Sequence, residues 1–229
     1  MHVPDGFLNL PTSAAAGVVA MAGIGLALRG ARRELDERTA PLAGLVATFV
    51  FAAQLLNFPV AAGTSGHLLG GVLAAVLVGP WTATLCLTVV LLVQAFVFAD
   101  GGITALGVNV TLMGLVGVWA GWAVFVLARR VLPRRLAMVP VATAVGAFVS
   151  VPAAAAAFAG LFAVGGALPI PLGSLMAAMV GVHLLIGVGE AAMTALVVSA
   201  VVAARPDLVH GARPFVQGQR LPAAEGAAA

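Results

Sequence analysis

Seven apolar runs, at about 13–29, 41–58, 67–79, 81–98, 104–128, 137–164 and 172–203, fill most of this chain, and only Gly, Pro or charged residues separate them. A helix needs roughly 20 apolar residues to span a bilayer, whose interior offers no water to backbone polar groups. Hydrophobic residues make up 62% of the chain and charged residues 8%, a balance that no water-soluble domain of this length could cover with polar surface. The expected fold class is therefore all-α: a polytopic membrane helix bundle of about seven transmembrane helices.

The stretch 67–98 decides the topology. As one helix it would run roughly 48 Å against a bilayer core of about 30 Å. Gly79-Pro80 interrupts it, so two short spans with a turn at Pro80 are expected. With seven spans, Arg29, Arg32, Arg33 and Arg38, then Arg129, Arg130, Arg134 and Arg135, then Arg205, Arg213 and Arg220 all share one side. The positive-inside rule makes that side cytoplasmic, with the N-terminus outside and the C-terminus inside. His2 and His67 then fall on the outer face beside Asp5 and Asp100, with no arginine to repel a cation. Residues 1–204 are expected to form one membrane-embedded domain. Residues 205–229, with Pro206, Pro214 and Pro222 and an Ala/Gly-rich end, read as a flexible cytoplasmic tail.

Composition also excludes function classes. All eleven basic residues are arginine, so no P-loop lysine exists and any ATP is hydrolysed by another subunit. The arginines are confined to short loops and the tail, as membrane topology places them, and nucleic acid is not expected as a partner. Cys86 lies inside an apolar run and offers neither a disulfide framework nor a metal motif. No basic segment precedes the first apolar run, so Met1 is expected as the mature end.

That end carries the chemistry. In Met1-His2 the α-amine and the His2 amide nitrogen close a five-membered ring on a metal ion, and the same amide with the imidazole Nδ1 closes a six-membered one. Three nitrogens then lie in one plane, the field that Ni(II) and Cu(II) favour, and His67 is the candidate for the fourth. A bulky residue at position 2 hinders removal of the initiator methionine, and the amine must be deformylated and deprotonated before it binds. Pro4-Asp5-Gly6 is a turn signal able to fold the segment back over the bundle. Asp5, Asn57, Thr64, Ser65 and Asp100 are the outer-face groups available to orient the histidines, although Asn57 and Asp100 also suit helix caps.

Several segments, Met1-His2-Val3-Pro4-Asp5-Gly6-Phe7, Gly63-Thr64-Ser65-Gly66-His67-Leu68-Leu69-Gly70-Gly71, Gln94 through Gly107, and His183 through Glu190, together resemble the substrate-binding membrane subunit of energy-coupling-factor importers for nickel and cobalt, the NikM/CbiM family. The resemblance covers nearly the whole chain. It implies that Met1, His2 and His67 hold Ni2+ or Co2+ as the transported substrate, with no organic cofactor. It also implies a coupling transmembrane subunit, two cytoplasmic ATPase subunits and a small accessory membrane subunit as partners in a prokaryotic plasma membrane.

His183 and Glu190 share a face of the last span, roughly 10 Å apart along the axis. Buried ionisable groups of this kind serve as hydrogen-bonding glue between helices or as a transit site for an ion. Gln94 reads as a buried amide satisfied by a neighbouring helix. Small residues at Ala16, Ala20, Gly23 and Ala27, and at Gly114, Gly117 and Gly121, suit close packing inside the bundle or docking of a partner. Two other functions compete. Gly63-Thr64-Ser65-Gly66 with a later His183 fits an intramembrane serine protease, but the two side chains belong at different depths. A stand-alone divalent-cation carrier would need intramembrane carboxylates, and Glu190 is alone.

Overall fold

The computed structural model describes residues 2–37, 39–59 and 65–216. The chain forms α1 Leu10–Glu34, α2 Thr39–Gln54, α3 Gly71–Val78, α4 Pro80–Val97, α5 Leu106–Asn109, α6 Val118–Val131, α7 Val139–Gly165 and α8 Leu172–Ala204. A π-helical stretch, Val110–Gly117, joins α5 to α6 so that they act as one helix, Leu106–Val131. Between α2 and α3, β1 (Phe58–Pro59) pairs antiparallel with β2 (Ser65–Gly66), matching Phe58 to Gly66.

Local chemistry explains the ends of α1. The Asn9 side chain accepts a hydrogen bond from Thr12 N at 3.0 Å and Pro11 occupies the first turn, both strong start signals. Arg32 and Arg33 lie in the last turn, against the negative end of the helix dipole.

Contacts between helix ends define two opposite faces. On one, α1 begins beside α7's end, where Asn9 N donates to Gly165 O at 2.7 Å, and Ala167 N donates to Phe7 O on the way to α8. The segment after α4 returns here too, with Asp100 near His2. On the other face the Glu34 carboxylate at the end of α1 accepts from Thr82 N (2.7 Å), Thr82 Oγ1 (2.9 Å) and Trp81 N (3.2 Å), capping the first turn of α4. Arg213, beyond α8, donates to Glu34 O here. Every residue of α3 is buried, as expected of a helix apolar on all sides at the centre of a bundle. Large apolar side chains such as Val18, Met21, Leu45, Val164, Leu185 and Leu196 are exposed on the outside, a surface suited to lipid.

Helices occupy the places the apolar runs predict, but not at equal length. Among the described residues five are long and apolar enough to cross a membrane, α2 is shorter, and the run 67–79 contains only the eight helical residues of α3. The reason is local: residues before Gly71 spend their backbone hydrogen bonds on buried side chains instead of on a helix. Ala16, Ala20 and Ala27 are buried, as are Gly114, Gly117 and Gly121, so these small residues serve internal packing. The run of the tail differs as well. Residues up to 216 lie against the bundle, with Val209 and Ala212 fully buried, Arg129 donating to Gly211 O, and the His210 ring against Trp122. Positions 217–229 lie outside the described residues.

Candidate metal centre

The N-terminal segment is strapped across one end of the bundle by its own backbone. Val3 N donates to Asn109 Oδ1 at 2.7 Å and Asn109 Nδ2 donates to Val3 O at 3.2 Å, so one buried amide satisfies both main-chain groups of Val3. Gly102 N also donates to Val3 O. Asp5 accepts from the backbone of Ile103, Thr104 and Ala105 and from the Thr104 hydroxyl. The Thr104 bond and these amides hold the Asp5 carboxyl below its ordinary range. Phe7 plugs the apolar core against Phe158 and Phe162.

This strap delivers His2 to His67. Their ring centres lie 4.5 Å apart with the planes tilted by 30°, and both side chains are buried. Burial pushes the His2 imidazole down to about 3, so it is neutral at neutral pH with a lone pair to give. Its Nε2 faces Asp100 Oδ2 at 3.5 Å, and Asn57 Nδ2 reaches the same oxygen at 3.4 Å. Gly101 runs directly over the ring with φ +90°; a Cβ there would sit 3.1 Å from both His2 Nδ1 and Asn109 Nδ2. Only glycine combines that backbone conformation with so close an approach.

His67 is held just as closely. Its Nδ1 donates to Leu68 O at 2.7 Å, which leaves the buried Nε2 with a lone pair and, among the described residues, no hydrogen-bond partner. Assigning the proton to one ring nitrogen and the lone pair to the other is the usual arrangement of a coordinating histidine. The loop behind it is clamped by α8: Glu190 Oε2 accepts from Leu69 N at 2.8 Å and Oε1 from Gly70 N at 2.7 Å, while Gln54 Nε2 donates to Leu69 O at 2.7 Å. Glu190 therefore holds the loop that carries His67.

Of the residues marked from sequence, His2 and His67 meet, and Met1 and Thr64 lie outside the described residues. Asp100 and Asn57 stand behind His2, whereas Asp5 secures the strap. Gln94 is fully buried, yet its side-chain amide has no hydrogen-bond partner among the described residues, unlike the expectation of a helix-to-helix bond. Asn109, Gly101 and Gln54 escaped the sequence reading. Asn109 and Gln54 each gave a signal, an amide side chain inside an apolar run. No group of three or more His, Cys, Asp and Glu side chains that could hold a metal occurs among the described residues.

Residues 2–208 match the family model for the cobalt uptake substrate-specific transmembrane region, CbiM. The chain belongs to this family. It is 39% identical over 209 residues to "Putative metal transport protein HQ_3621A" of Haloquadratum walsbyi, covering 91% of this chain and 93% of that one. To the fused nickel transport protein NikMN of Rhodobacter capsulatus it is 41% identical over 130 residues, 57% of this chain and 38% of that protein. A solved structure titled as a truncated transition metal transporter superposes with a TM-score of 0.83 at 29% identity, covering 89% of this chain and 99% of that one. The chain is thus a multi-pass membrane protein of the cobalt and nickel transport family CbiM/NikM. Membership in a transport family sets the serine-protease reading aside.

Proposed function

We propose that this chain is the substrate-capture subunit of an ATP-driven energy-coupling-factor importer, and that it binds Ni2+ or Co2+ at its outer face. The Met1 amine, the ionised His2 amide, His2 Nδ1 and His67 Nε2 form a near-planar nitrogen set around the cargo ion. The observation that carries this reading is the spacing of the two imidazoles. In the chelate the amine and His2 Nδ1 are trans, so the fourth donor is cis to the His2 ring. With ion–nitrogen bonds of about 2 Å and ring centres about 1.2 Å beyond, cis imidazoles place their centres about 4.5 Å apart and trans ones about 6.4 Å. The ring centres lie at 4.5 Å. Asp100 Oδ2 stands 3.5 Å from His2 Nε2, and the Leu68 carbonyl takes the Nδ1–H of His67.

A coupling transmembrane subunit, two cytoplasmic ATPases and a small accessory membrane subunit complete the machine. The chain itself supplies no P-loop lysine. The test is ion uptake by the assembled transporter. One residue added before Met1 displaces the amine and should abolish uptake while the protein still folds and inserts; normal uptake would overturn the proposal. His67→Ala should likewise lose the ion, and Ser65→Ala should transport normally.

A further inference from the structure

At the end of the bundle far from His2, α6 and the segment beyond α8 enclose a groove of about 580 Å³, lined by Trp122, Phe125, Arg129, Arg130, Arg134 and Phe215 among others. Its wall changes character along α6. The Trp122 ring stacks on Phe125 with centres 5.0 Å apart, and the Arg129 guanidinium stands 5.6 Å from the Phe125 ring and 4.6 Å from that of Phe215. Trp122, Phe125 and Arg129 follow at spacings of three and four, so they share one face of the helix. Over about 10 Å of helix axis the groove thus passes from aromatic to cationic.

Arg129 is held there but not neutralised. Its Nη1 donates to Gly211 O, and its Nε is buried with no hydrogen-bond partner among the described residues. His210, on the same wall, has a buried Nδ1 that likewise finds no partner among them. No described residue lining the groove carries a carboxylate, and none of its three arginines is in an ion pair among the described residues. A partly buried guanidinium without a counter-charge is costly, and its planar fork matches the oxygens of a phosphate.

We infer that this groove binds an anionic phospholipid, with the headgroup phosphate on Arg129, Arg130 and Arg134 and the start of an acyl chain along Phe125 and Trp122. A free phosphate or an acidic protein side chain would satisfy the arginines yet leave the aromatic half of the groove unfilled. Leu127 and Val131, on the same turns of α6, are exposed as lipid-facing residues are, which places the arginines at headgroup level. Basic pockets beside membrane helices hold anionic headgroups in this way. The lipid would then fasten the segment carrying Gly211 and Phe215 to the end of α6.

The test uses the full chain in detergent, with native mass spectrometry counting bound lipid. The probes are dioleoylphosphatidylglycerol, dioleoylphosphatidylcholine and inorganic phosphate. One phosphatidylglycerol per chain is expected to stay bound where phosphatidylcholine, which has the phosphate but no net charge, does not; equal retention of both would overturn the inference. Arg129 also anchors Gly211, so the variant of choice spares it. Arg130→Gln with Arg134→Gln, both exposed, should weaken phosphatidylglycerol binding about thirtyfold, at about fivefold for each basic residue near the membrane surface. Removing the same charge outside the groove, by Arg32→Gln with Arg135→Gln, should change binding by less than about twofold. Unchanged binding in the first pair, or an equal loss in the second, would overturn the site. Phosphatidylglycerol should also raise the thermal midpoint; an equal rise with inorganic phosphate alone would assign the groove to the free anion. Loss of the coupling subunit from the assembled transporter in the Arg130 and Arg134 pair, with phosphatidylglycerol binding intact, would assign it to an acidic protein surface instead.

Discussion

A buried imidazole with a free lone pair is costly in the empty protein, and His2 shows how that cost depends on pH. Its ring is pushed down to about 3 in the folded chain against 6.5 when free. Below about 6.5 an undocked N-terminus gains a proton that the docked ring refuses, so acid favours undocking. Docking is at full strength above about 6.5 and weakens progressively toward pH 3. Hydrogen exchange at the Val3 amide, which donates to Asn109, reports this directly. Protection in the ion-free protein should fall between about pH 7 and 4, after correction for intrinsic exchange, and a His2→Asn chain should show no fall from this source. Equal loss in both would mean that His2 burial does not govern docking.

At the scale of elements, the loop 65–70 is the working part. It stays out of helix because Glu190 and Gln54 take its amides and carbonyl, and Gly70, at φ +71°, lies where a Cβ would meet Val50 at 2.7 Å. Glu190→Gln keeps the volume but can accept only one of the two amides while its NH2 opposes the other. Ion affinity should fall about 10- to 100-fold with little change in the thermal midpoint, as when any group supporting a ligand is altered. Titration calorimetry with Ni2+ measures it, and unchanged affinity would show that the clamp does not position His67. The apolar runs made the helices legible in sequence, and the pairing of His2 with His67 followed from topology. Glu190's role did not, because its partners are Leu69 and Gly70, remote in sequence, and a carboxylate inside an apolar run looks the same whether it meets an ion or two amides. Asn109 was hidden for the same reason. The truncation of the third run to Gly71–Val78 was equally invisible, since composition does not reveal which amides a distant carboxylate will claim.

For the whole molecule, the two faces are built independently. Glu34 caps α4 at the end far from His2, and Arg213 fastens the segment beyond α8 beside it. Glu34→Ala strips three hydrogen bonds from the start of α4 and should destabilise the fold by about 2–3 kcal/mol. Thermal unfolding in detergent should register the loss while calorimetric Ni2+ affinity stays as it was; a parallel loss of affinity would mean that the two faces are coupled in the isolated chain. The packed residues 205–216 were not readable from sequence, because Pro and Gly mark them as irregular without saying whether the bundle covers them. The central claim concerns the opposite face. Its most direct measurement is the visible absorption of the Ni2+-loaded protein with an authentic Met1 amine, beside the same chain extended by one residue. The planar nitrogen set predicts a visible band of planar Ni2+ in the first and none in the second; the same spectrum from both chains would contradict it.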